Sequence, residues 1–271
     1  MLNVLSVRTV LLFQMVAFWP VWRWYWLRIW DGSDEPWGIV ALFTAIIFFS
    51  TRSERILLRP EQMRWIVAAE ALYVVSFSVL SPLPRALLAT TCISLTVAPM
   101  IVQGGRVHLG SFGLLVLSLP VIASLQFYVG YPLRLATAFV SAHIVSLTGF
   151  PTHAFGTSLF WAGEVIAVDA PCAGIRMLWC SLYLAFTVAS FKDFDNRACW
   201  MLYLFSSGVV FCGNIFRNVL LFYIESGIVD APAGAHSAMG LLMFAPMALL
   251  ILGSKRLAYQ MFSLRRSIRR N

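Results

Sequence analysis

Residues 131–151 read YPLRLATAFVSAHIVSLTGFP. Whether this segment crosses a bilayer decides the fold, because it sets the side on which every later connection emerges. Leu133, Leu135, Phe139, Val140 and Ile144 would share one apolar face of a helix, but Arg134 and His143 interrupt the segment. That pattern predicts a helix lying in the membrane interface rather than a span. The following residues, THAFGTSLFWAGEVIAVDAP, alternate loosely and are rich in glycine, as a short extended excursion would be.

The rest of the chain demands a membrane. Of its 271 residues 60% are hydrophobic and only 12% charged, and the mean hydropathy is +0.80, whereas soluble domains carry about 25% charged residues. At roughly 20 apolar residues per crossing, there is room for about eight spans. These fall near 8–30, 37–50, 65–80, 86–102, 111–129, 174–191, 198–224 and 237–252, with the 130–173 excursion between the fifth and sixth. The expected fold is therefore an all-α polytopic bundle, one integral membrane domain over 1–271. A basic tail, 254–271, closes it. The first span leads into WRWYWLRIW, not into a small-residue cleavage site, so it reads as uncleaved.

The net charge of +8 points to the membrane and not to nucleic acid, because the basic residues sit in short connections and the tail. Lys255, Arg256, Arg265, Arg266, Arg269 and Arg270 place the tail in the cytoplasm. Counting back through alternate spans puts 51–64, 103–110 and 192–197 on the same side, and those hold most remaining loop arginines. The N-terminus then lies inside as well. The excursion falls outside, and the count works only if 133–149 does not cross.

With that topology, three unusual polar residues reach a similar depth near the outer surface. Cys172 stands in VDAPCAGIR, at the outer mouth of the sixth span. Arg217 stands in GNIFRN within the seventh, and His236 at the mouth of the eighth. An arginine inside a span costs at least ~2.5 kcal/mol and normally faces protein or water. Asn214 and Asn218 supply hydrogen-bonding groups beside it. Cys172 follows a proline and precedes a helix start, a setting that favours the thiolate. A thiol, a base and a fixed cation make a nucleophile, a proton carrier and an anion stabiliser. Cys92, Cys180, Cys199 and Cys212 read as small buried residues, with no CxxC pair and no metal spacing among the five cysteines. His143 and His153 are alternative bases, and His108 falls in a cytoplasmic loop. Asp169 and Glu164 could orient a histidine or bind substrate, but read more simply as solvated acids. On the residues alone, a thiol enzyme and a transporter or scaffold stand level.

APCAGIR (Cys172, Arg176), NIFR (Asn214, Arg217) and AHSAMG (His236), in that order, resemble the motifs of the exosortase/archaeosortase family of integral membrane cysteine transpeptidases. GYPLRLATAF and GEVIAVDAP resemble the family's lead-in to its cysteine. The likeness covers roughly 130–240, and the first four spans only by topology. It implies a family-like catalytic core over about 130–253. Ala173 departs from a common serine beside the nucleophile.

The resemblance implies a nucleophilic Cys172, a thiolate- or oxyanion-stabilising Arg217 and an acid/base His236, with Arg176, Asn214 and Asp169 in support. It implies no metal and no cofactor. The substrate would be a membrane-anchored exported protein with a C-terminal sorting signal: a motif such as Pro-Glu-Pro, a transmembrane helix and an arginine-rich end. The acceptor is open. The setting would be the bacterial inner membrane, with the active site on the extracytoplasmic side and often alongside exopolysaccharide production. The rival reading is a non-enzymatic transporter or assembly factor for export.

Overall fold

The structure, a computed structural model, describes residues 5–32, 36–52, 56–102, 105–168, 174–232 and 238–253. Asp169, Cys172, His236 and the basic tail lie outside them. The described chain is mostly helical, and it forms two compact units. One comprises 1–121 with 186–200, and the other 122–185 with 201–271.

The first unit holds α1 (Val7–Ala17), α2 (Trp19–Trp30), α3 (Gly38–Ser50), α4 (Pro60–Val75), α5 (Pro82–Val97) and α6 (Leu109–Ser118). Ser6 caps α1 by accepting from the Thr9 amide. The segment before α1 pairs with the segment before α4, Val7 N–H donating to Ile56 O and Leu58 N–H to Leu5 O. Val7, Val10, Leu58 and Ile66 pack over that pairing. The expected first span is two helices joined at Phe18, because Pro20 cannot sit in a helix interior and instead falls in the first turn of α2. Gln14, buried on α1, donates to Glu70 (3.0 Å) on α4 and to Thr96 (2.8 Å) on α5. The Glu70 carboxylate thus takes a hydrogen bond from its own bundle.

Three connections meet at one end of this unit, the same three that the arginine count places on one side. Arg52 pairs with Asp193. Asn196 accepts from the Leu109 amide (3.0 Å) and donates to Val107 O (2.9 Å). His108 caps α6, its Nδ1 accepting from the Ser111 amide at 3.3 Å. That leaves Nε2 to carry the proton and donate to Phe194 O at 2.9 Å. Burial holds the pKa of His108 below its ordinary value, against the opposing pull of the Phe194 carbonyl and Asp193, so the neutral ring is kept as a cap.

The second unit holds α7 (Ile122–Tyr128), α8 (Gly130–Leu147), β1 (His153–Phe155), β2 (Ser158–Trp161), β3 (Glu164–Ala167), most of α9 (Ile175–Phe191), most of α10 (Asn196–Glu225) and α11 (Ala238–Gly253). The extended excursion is a three-stranded antiparallel meander, ordered β1-β2-β3. Its second turn is the two residues Ala162 and Gly163, both at positive φ (50° and 87°), as a tight hairpin requires. Leu159 and Ile166, opposite each other, turn inward to join Val168, Val219 and Phe222 in the core.

The segment 131–151 does form a helix, but the face it packs inward is the small one. Thr137, Ala138, Ser141, Ala142 and Val145 are buried, while Leu135 and Phe139 are exposed. Small residues let backbones approach closely.

Among the described residues, Pro82–Met100 and Asn196–Glu225 are long and apolar enough to cross a membrane alone. The pair Leu109–Ser118 and Ile122–Tyr128, broken around Pro120, makes a third if counted as one span. Val7–Ala17, Gly38–Ser50, Ile175–Phe191 and Ala238–Gly253 are shorter apolar helices.

Candidate active site

The site is built on the C-terminal half of α10. Residues three and four apart share a helix face, so Asn214, Arg217 and Asn218 stand together, and all three are buried, at 0%, 7% and 4% exposure. Asn218 donates from Nδ2 to the Asn214 carbonyl at 2.7 Å, fixing its amide along the helix. The small face of α8 packs against α10. There Thr137 Oγ1 accepts from Asn214 Nδ2 at 3.5 Å, and Ser141 Oγ donates to Ile215 O at 3.5 Å.

Two glycines bring other parts of the chain to these residues. Gly174 has φ +77°, and a Cβ built on it would lie 2.8 Å from Asn214 Cγ. The backbone entering α9 therefore rests directly on the Asn214 amide. Gly240, in the first turn of α11, would place a Cβ 4.0 Å from Arg217 Nε. Gly174 follows Cys172 by two residues and Gly240 follows His236 by four. The flanks of both sequence-predicted residues thus converge on one face of α10. Gly174→Ala is expected to lower the thermal midpoint in detergent, since a left-handed alanine costs about 1–2 kcal/mol before any clash. Asn214→Ala in the same chain removes the clash and should recover part of the loss. A Gly174→Ala protein as stable as the parent would contradict this packing.

The electrostatics at the head of α9 favour an anion. The first turn of α9 contains no acidic residue and carries Arg176, which is exposed. A helix N-terminus carries partial positive charge, and the Arg176 side chain adds a cation to that turn.

The other candidates lie elsewhere. His143 is on the exposed face of α8, its Nδ1 2.8 Å from the Phe139 carbonyl and its ring against Phe139. His153 stacks on Phe160 across β1 and β2. Glu164 is exposed at the start of β3. Cys92 and Cys199 are buried, Cys180 is half-buried and Cys212 is exposed on α10. Among the described residues no three His, Cys, Asp or Glu side chains come together as a metal site would need. Thr137, Gly174 and Gly240 are the site residues that sequence reasoning missed. The signal for Gly174 was available, as a glycine immediately before a helix start.

A model of the transmembrane exosortase family (Exosortase_EpsH) matches residues 9–253. The same chain finds no match among curated proteins or among solved structures.

Proposed function

Because the chain belongs to the transmembrane exosortase family, we propose that it is a membrane-embedded cysteine transpeptidase or protease acting on the C-terminal sorting signal of exported proteins. The observation that carries this reading is the convergence on α10: Gly174 on Asn214, and Gly240 beside Arg217. In this reading the Cys172 thiolate attacks the scissile carbonyl, and Arg217 balances the negative charge, first on sulfur and then on oxygen. The C–N bond breaks, and His236 delivers a proton to the departing amine. An acceptor amine or water then attacks the thioester, and its proton passes to His236 as the thiolate leaves. Arg176 and the first turn of α9 favour the thiolate, Asn214 holds the entry to α9, and Asp169 supports the histidine.

A substrate anchored by its own helix must reach Cys172 from the side. An apolar furrow of about 680 Å³ along α10 and α11, floored by Gly208, Cys212, Gly213 and Met247, supports such a route. We take the protein to cross the bacterial inner membrane about eight times, with α1–α2 and α6–α7 each as one broken crossing, both termini inside and the meander outside. The transporter reading needs a polar path, and Glu70, which would help to furnish one, is held by Gln14.

The test uses a reporter ending in Pro-Glu-Pro, a roughly 20-residue leucine-rich span and an arginine cluster, expressed with this protein. Shortening of the reporter that a membrane-impermeant maleimide blocks from the extracytoplasmic side is the expected result. Shortening that continues after Cys172 is fully modified would exclude the reading.

A further inference from the structure

The meander has one covered edge and one open edge. On the β1 side α8 packs close, and Ser146 Oγ donates to Thr152 O (2.7 Å) while accepting from its amide (3.0 Å). On the β3 side no strand among the described residues pairs with it. Val168 N–H donates to Thr157 O at 2.8 Å, which fixes the alternation of the ladder. Ile166 opposite Leu159 and Glu164 opposite Trp161 are then the hydrogen-bonded pairs of β2 and β3. Val165 and Ala167, opposite Phe160 and Ser158, direct their N–H and C=O groups away from β2. Both residues are exposed, Val165 at 57%. Edges that proteins keep closed are very short or carry charged side chains, proline or a bulge; β3, EVIA, is four residues with Glu164 at its start, and its Val165-Ile166-Ala167 run has no charge, proline or bulge.

The place of this edge in the chain matters. From Ala167 the backbone passes through the buried Val168, and Gly174, on the far side of Cys172, rests on Asn214. In the sequence the open edge ends five residues ahead of Cys172.

We infer that the β3 edge takes an extended segment of the substrate polypeptide as a fourth strand, through the outward N–H and C=O groups of Val165 and Ala167. This rests on the cysteine transpeptidase reading and names how that site holds its substrate. An extended peptide is the ligand that offers acceptors and donors at a two-residue repeat of about 6.6–6.8 Å. Such strand addition binds through the main chain, with specificity left to the side chains. It presents the peptide backbone, the part to be cut, to the residues that follow β3.

The test uses the full-length protein in membranes and the reporter above. Val165→Pro removes one outward N–H and leaves the β2–β3 ladder intact. It is expected to lower kcat/KM for the reporter by about tenfold or more, mostly through KM, with Cys172 still alkylated at the parent's rate. Val165→Thr keeps the backbone donor and should lose much less than Val165→Pro. Ala167→Pro removes the other outward N–H and should match Val165→Pro. A photocrosslinker at position 165 in the Cys172→Ala background, which needs no proline, should yield an adduct with the reporter. Parental KM in both proline variants, an equal loss in Val165→Thr, or adducts only between two copies of this chain would each overturn strand addition. Normal processing by Cys172→Ala, or none by the parent, would instead remove the enzyme reading on which it rests.

Discussion

Cys172→Ala is expected to leave a folded, inserted protein that processes no reporter. A thioacyl route has no first step without the sulfur. Cys92 and Cys199 are buried in the first unit, where Cys199 Sγ lies 3.6 Å from the Phe194 carbonyl, and Cys212 lines the apolar furrow. Cys172→Ser should be nearly as inactive. A serine hydroxyl is far harder to ionise than a thiol. Processed reporter is measured by gel shift in membranes with matched enzyme. Near-normal processing by the alanine variant would end the thiol-enzyme account.

The second large effect concerns Arg217. Arg217→Lys keeps a charge but loses the planar fork, and processing should fall by about 10²–10³, the scale for removing one group that stabilises an oxyanion. The lysine has no equivalent reach. Arg217 is buried on α10 among Asn214, Asn218 and the first turn of α11, so its position is set by packing. His236→Ala should lose about 10²–10⁴, the usual range for general acid–base help. In the proposed mechanism the three groups act on one intermediate, so adding Arg217→Lys or His236→Ala to Cys172→Ala should cost nothing further. His143→Ala and His153→Ala should process normally, since their rings are engaged with Phe139 and Phe160. A large loss in either would move the base to the excursion.

Much of this was legible in the residues because lipid imposes simple rules. Apolar runs near 37–50, 174–191, 198–224 and 237–252 became Gly38–Ser50, Ile175–Phe191, Asn196–Glu225 and Ala238–Gly253. Hydropathy alone did not register the breaks within the first and fifth runs. Pro20 and Pro120 mark both, and a proline cannot continue the hydrogen-bond ladder of a helix interior. The α4 start was placed too late, because Pro60 and the Gln62 side chain, which accepts from the Arg59 amide at 2.9 Å, begin the helix ahead of the apolar run. The meander was read as extended but not paired, since its second turn is Ala162–Gly163 and lacks the Asn-Gly or Asp-Gly signature of such turns.

The candidate site was legible as a set of residue types but not as a set of contacts. Arg217 and Asn214 were marked by the cost of burying polar groups in a span. Their link to Gly174, Gly240 and Thr137 depends on how α8, α9, α10 and α11 pack, and no periodicity in one helix reveals its neighbours.

The central claim is a covalent bond between Cys172 and the substrate. The most direct measurement is intact mass analysis of the full-length protein, purified in mild detergent after acid quenching of a reaction with the reporter. The expected result is an adduct of the mass of the reporter's upstream fragment. It should be released by hydroxylamine, as a thioester is, and absent from Cys172→Ala. Processed reporter accumulating with no such adduct, or an adduct that persists in Cys172→Ala, would contradict the account.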